Sequence, residues 1–239
     1  MQDPTDLSSQ CDACNATFSI RHALECKKGG LVIIRHNEIR DELVDLASKA
    51  FSPSAVHDEP KIHTCRANER ESADGRQERP VQRLFCNDRT EDRGNVLIRG
   101  GLWTKGTDCI LDVRMTDLDA KSNRSRSPDK VLAAHEREKK KKYLGPCLEQ
   151  RRHFSPFVVS TDGLLGKEAK VVLKRLALML TEKWSKPYSE VCGYVNARMS
   201  IAIVRATHLC VRGSRIPTSK MSKRLPQWED QAGLSLFHR

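Results

Sequence analysis

Asp108-Cys109-Ile110-Leu111-Asp112-Val113-Arg114-Met115 is the stretch whose reading decides the fold. Ile110, Leu111 and Val113 make it a strand, and period-two alternation puts Asp112 on the face opposite Leu111 and Val113. A carboxylate at the centre of a mostly apolar strand needs a partner or a metal. Upstream, Asn95 to Arg99 reads as a second strand, and Gly100-Gly101 with Lys105-Gly106-Thr107 punctuate the stretch between the two. Downstream, Ser122 to Ser127 is a basic surface loop. Pro128-Asp129 then opens a helix over about 129–143 with Val131, Leu132 and Ala134 on its apolar side. Pro156 to Ser160 reads as a fully buried strand, and helices follow over roughly 167–184 and 189–211.

Ahead of these strands, residues 31–51 place Ile39, Leu43, Leu46, Ala47 and Ala50 at helical spacing, and Ser52-Pro53 stops that helix. Short strands are expected at Lys61-Ile62-His63 and around Val81 to Cys86, inside a charged, loop-like stretch. The order predicts a mixed α/β (α+β) domain with a small, partly buried central sheet. Three segments are expected: a Cys/His unit over 1–30, the α/β domain over 31–215 and a polar tail over 216–239.

Composition narrows the partners. The 239 residues carry 42 Lys plus Arg against 31 Asp plus Glu, a net charge of +11 that favours a polyanion. Aromatic residues make up only 5% of the chain, too few for a single-strand stacking platform. Contact with the phosphate backbone of duplex DNA suits this composition better, with RNA as a second nucleic-acid candidate. No apolar run approaches the roughly 20 residues needed to cross a bilayer, so no membrane role is expected. The odd count of nine cysteines, with no export signal at the N-terminus, predicts reduced thiols and an intracellular setting, the nucleus first. Nothing in the sequence sets an oligomeric state.

Three of those cysteines fall in the array Cys11-x2-Cys14-x7-His22-x3-Cys26. Two cysteines across a two-residue gap, then histidine and cysteine one helical turn apart, can close a tetrahedron around one Zn²⁺. Four protein ligands leave no open position for water, so the expected role is structural. The metal would stabilise a loop too short to bury a core of its own.

A second group of residues has parts for phosphodiester chemistry. Asp112 could hold Mg²⁺, and Lys139 and Lys142, at helical spacing, could neutralise charge on an attacked phosphate. Arg124, Arg126, Lys140 and Lys141 would give the cleft a positive rim. The same residues also fit a plainer account, in which the lysine run is a solvated face and Asp112 a structural ion-pair partner.

The order of motifs adds to this. The Cys/His array is followed by Arg35-His36-Asn37-Glu38-Ile39-Arg40-Asp41, then Leu111-Asp112-Val113-Arg114, then Glu138-Lys139-Lys140-Lys141-Lys142-Tyr143, then Phe154-Ser155-Pro156-Phe157-Val158-Val159-Ser160-Thr161-Asp162-Gly163. That order, over roughly residues 11–215, resembles the C-terminal region of non-LTR retrotransposon polyproteins, where a CCHC-type zinc knuckle precedes a restriction-endonuclease-like domain downstream of the reverse transcriptase. The resemblance implies a PD-(D/E)xK core whose lysine has moved from its strand to the following helix, and an Mg²⁺-dependent nicking activity on duplex DNA. It assigns Asp112 as the metal carboxylate, Lys139 or Lys142 as the helix lysine, and Glu38 as an auxiliary acid facing the same cleft. Where the family carries its first aspartate, this chain has Asn95, a poor Mg²⁺ ligand. The resemblance therefore carries two readings: an endonuclease module degenerate at Asn95, and an inactive zinc-containing nucleic-acid-binding protein.

Overall fold

The computed structural model describes residues 8–62 and 93–215. A short helix α1 (Ile20–Glu25) leads through a tight turn at Gly29-Gly30 into α2 (Leu31–Ala50), which is followed by β1 (Val56–Asp58). After the undescribed segment come β2 (Val96–Ile98), β3 (Cys109–Thr116), α3 (Pro128–Glu149) and β4 (His153–Ser160). Two long helices, α4 (Lys167–Trp184) and α5 (Tyr188–Arg212), complete the described chain. The four strands form one sheet in the order β1-β2-β3-β4. The first two pairings are antiparallel and β3 runs parallel to β4, joined by α3 as crossover.

Alternation along β3 sorts the two faces. Cys109, Leu111 and Val113 join Phe157 and Val159 of β4 in a core closed by α2, α4 and α5. Ile110 faces the other way, with Leu97 and Phe154, against Tyr143 and Cys147 of α3. Both faces are covered, which is why β3 and β4 read as near-continuous apolar runs. Strand β4 is also an edge of the described sheet. It carries Pro156, and beyond it the chain turns back so that Ser160 donates to Leu164 and Gly166 to Val158.

The mixed α/β class with a small sheet is what the sequence implied. Helix α3 runs six residues beyond the expected end, through Pro146, because Tyr143 and Cys147 bury against Ile110 and Phe154 and hold the last turns. The stretch expected as a strand at Lys61-Ile62 makes only an isolated bridge, Lys61 to Arg93, while His63, the expected strand at 81–86 and the tail from 216 lie outside the described residues. Helix α1 and strand β1 were not anticipated. Ser19 starts α1 by accepting from the His22 amide at 3.1 Å, a capping signal readable in the sequence. A turn at Gly163 and the Leu164–Gly166 return lead from β4 into α4.

Candidate functional site

The Cys/His unit folds around a turn and a helix. Gln10 bridges to Thr17, and the Cys11 amide donates to Ala16 O at 2.9 Å, closing the loop that carries Cys11 and Cys14. Helix α1 then places His22 and Cys26 one turn apart on a common side. The Sγ atoms of Cys11, Cys14 and Cys26 and a ring nitrogen of His22 lie within 4.8 Å of one another. Individual separations are 3.9 Å for Cys11–Cys26 and for Cys14–Cys26, and 3.3 Å for Cys14 Sγ to His22 Nε2. A tetrahedron with Zn–S near 2.3 Å and Zn–N near 2.0–2.1 Å has edges of about 3.8 Å (S–S) and about 3.6 Å (S–N). The donor set and its spacing therefore fit a closed, structural zinc site. The Ala13 amide lowers the Cys11 thiol to about 6, toward the thiolate that a metal requires, whereas burial pushes Cys26 upward.

The second cluster gathers where β2 begins. Asn95 sits one residue before β2, its amide donating to Leu111 O at 3.0 Å beside Asp112. Asp112 is only 4% exposed and pairs with Lys139 of α3, Nζ to Oδ2 at 2.7 Å. Burial raises the Asp112 carboxyl above its ordinary value, and the opposing pull of Lys139, and of Lys142 behind it, does not cancel that. Tyr143 is wedged beside the two lysines. Lys142 donates to its hydroxyl at 2.8 Å and sits 4.6 Å from the ring centroid, and Lys139 lies 5.6 Å from it. Asp112, Lys139 and Lys142 are thus brought together as the sequence suggested.

Asn95 has a definite structural task. Its Oδ1 accepts from the Val113 amide at 2.6 Å, standing in for a ladder carbonyl where β2 has not yet begun. A backbone N–H can only donate, so the carboxamide orientation is fixed and Nδ2 faces His36 Nε2 at 3.0 Å. His36 must then accept at Nε2, which makes it the neutral, Nδ1-protonated tautomer. Burial lowers the His36 pKa, and Arg40 and Lys139 lower it further.

Glu38 is the correction. Expected to face the cleft, it reaches instead to Arg205 of α5 at 2.5 Å. On α2 the buried stripe Ile39, Leu43 and Leu46 continues backward to Arg35 and Leu31; His36 lies beside it, half-buried, and reaches Asn95, whereas Glu38, two positions further on, faces α5. The residue that α2 delivers to the cluster is His36, and the stripe in the sequence could have found it.

The expected rim divides. Arg124 and Arg126 are exposed on the turns before α3, and Lys141 is exposed on the helix. Lys140 points elsewhere, pairing with Glu168 of α4 at 2.7 Å. Nearby, Arg114 of β3 pairs with Glu138 of α3 at 2.7 Å, and the half-buried His135 meets Thr116 at 2.9 Å. Glu136, one residue on, faces the start of α4, where its Oε1 accepts from the Glu168 amide at 2.9 Å. Among the described residues no helix is long and apolar enough to cross a membrane.

No family model matches the chain, and no curated protein sequence matches it.

Proposed function

We propose that the chain is a nucleic-acid-directed module of the restriction-endonuclease-like, PD-(D/E)xK type: a zinc-stapled unit fused to a domain that nicks duplex DNA with Mg²⁺. The observation that carries this is the ion pair between Asp112, buried at the centre of β3, and Lys139 on the crossover helix. A carboxylate whose pKa is raised by burial, yet which is kept beside a lysine in the middle of a buried strand, is a costly arrangement. Such arrangements cluster at functional sites. The mixed sheet with the carboxylate on a central strand and the lysine on the following helix is also what the resemblance to non-LTR retrotransposon endonucleases requires.

Asp112 offers one carboxylate to Mg²⁺, and the oxygen of Asn95 is already engaged by Val113. A bound Mg²⁺ would lower the pKa of a water and neutralise phosphate charge. Lys139, released from Asp112, would then face the phosphate, while Tyr143 and Lys142 limit where its ammonium can go. Arg124, Arg126 and Lys141 would hold the backbone of the duplex, giving binding that weakens steeply with salt.

The Asn95–His36 bond favours a second reading, in which the fold and its charge bind nucleic acid without cutting it. Supercoiled plasmid with Mg²⁺ or Mn²⁺ separates the two. Nicking that is lost in Asp112→Ala establishes the enzyme, and nicking gained only in Asn95→Asp establishes a degenerate one. Salt-dependent binding with no nicking in either form leaves the binder, and no binding at low salt removes both.

A further inference from the structure

We infer that zinc loading and the seating of the α5 C-terminus are one coupled equilibrium, linked through Asp12 and Arg215. The inference is independent of the nuclease reading and rests on the Cys11–Cys26 centre taking zinc.

Asp12 lies between two of the ligands, Cys11 and Cys14. Its Oδ2 accepts from the Arg215 amide at 2.7 Å and from the Ser214 hydroxyl at 3.0 Å, just past the end of α5. Arg215 is 2% exposed. Its guanidinium donates to Ala23 O at 3.1 Å and to Cys210 O, and lies 5.4 Å from the Phe18 ring. Ala23 sits between His22 and Cys26, so one residue holds both halves of the zinc unit: the Cys turn through its amide and the His/Cys helix through its side chain. Cys210 O is one of the carbonyls that a helix end leaves without an intrahelical partner. The seat is tight on the third side as well. A Cβ on Gly29, whose φ is 74°, would stand 2.5 Å from Arg215 Cβ.

A buried guanidinium is tolerable only where carbonyls and a carboxylate are already arranged around it. The Cys11–Ala16 loop has two backbone bonds of its own, and α1, six residues long, is packed by Leu24 against Leu31 and Cys210, but only the metal would tie the loop to the helix through all four ligands. Zinc fixes both, which creates the seat. Linkage makes the effect reciprocal: whatever unseats Arg215 must weaken zinc by the same factor.

The test measures zinc affinity of the full chain by competition with a chelating dye, and amide exchange over residues 206–215 with and without zinc. Asp12→Ala and Arg215→Ala should each weaken zinc by about 10-fold or more, within the usual 5- to 150-fold range of such couplings. The double variant should lose no more than either single one. Gly29→Ala replaces neither a ligand nor a latch residue, but its Cβ would crowd Arg215 out of its seat, so it should weaken zinc in the same direction. Chelation should speed exchange at the α5 end. Affinities within twofold of the wild type in all four variants, or exchange unchanged by chelation, overturn the coupling. A wild type that binds no zinc overturns the coupling and the metal centre together.

Discussion

At Asn95 the chain departs from the resemblance, and a side chain that fills a backbone role explains the departure. The Val113 amide needs an acceptor and His36 Nε2 needs a donor, and only a carboxamide serves both at once. An aspartate would keep the first contact and turn the second into an ion pair, favouring the imidazolium. Histidine titration followed by NMR should therefore show His36 below the ordinary value in the wild type and above it in Asn95→Asp. Because the folded pKa is depressed, unfolded chains take up the proton first. The His36 contribution to stability is therefore lost as pH falls from about 6.5 toward the lower folded value. Asp112 works in the opposite sense. Its folded pKa is raised, so stability falls as pH rises from the ordinary carboxylate value of 3.8 up through the raised folded value. Asp112→Asn should then melt higher than the wild type; a gain of about 1 kcal/mol would move the midpoint by about 2–4 °C. A lower midpoint would contradict the account of Asp112 as a residue kept at the expense of stability. Asp112 was legible in the sequence because a carboxylate breaks an apolar strand. His36 was not singled out, because it lies two positions before Glu38 and that offset turns a helix by more than half a revolution.

Among the elements, α3 does the most to arrange the Asp112 cluster, and its two sides serve different neighbours. Lys139 and Tyr143 face β3 and β4, whereas Glu136 and Lys140 hold the start of α4. Glu136 is 7% exposed and sits against Gly166, where a Cβ would strike its carboxylate. There it satisfies one of the orphan amides of α4 and meets the positive end of that helix dipole. Glu136→Ala should cost about 1–3 kcal/mol, read by chemical denaturation, and Glu136→Gln much less, since the acceptor is kept. Equal losses in the two would show that the charge, not the hydrogen bond, is what matters. The boundaries of α2, α4 and α5 were readable to within a residue or so from their apolar spacing. The end of α3 was not, because Gly145-Pro146 reads as a stop when the burial of Cys147 is unseen. Strand β1 has only three residues, two of them exposed, and carries almost no pattern of its own.

For the molecule as a whole, the Cys/His unit is built into the body. Leu24, Leu31 and Cys210 share one apolar cluster, and Arg35 of α2 donates to Leu24 O at 3.1 Å. Chelation should therefore lower the melting midpoint of the entire chain, read by circular dichroism, rather than release a small independent transition. Acid should do the same by protonating the ligand thiolates. The sequence revealed the ligands through their spacing but not this fusion, because Asp12 and Arg215 lie 203 residues apart. Strand β4 raises a different matter, that of self-association. Eight residues long and buried along almost its whole length, it ends the described sheet with a free rim, a template on which another extended chain could grow. Pro156 withholds an amide midway along that rim, and the Leu164–Gly166 return shields its far half. Pro156→Val would restore the missing donor beside Phe157-Val158-Val159. Light scattering should then show assemblies growing with protein concentration, while the wild type stays at constant size. The proline that looks out of place in a buried strand leaves that rim one donor short of a continuous ladder.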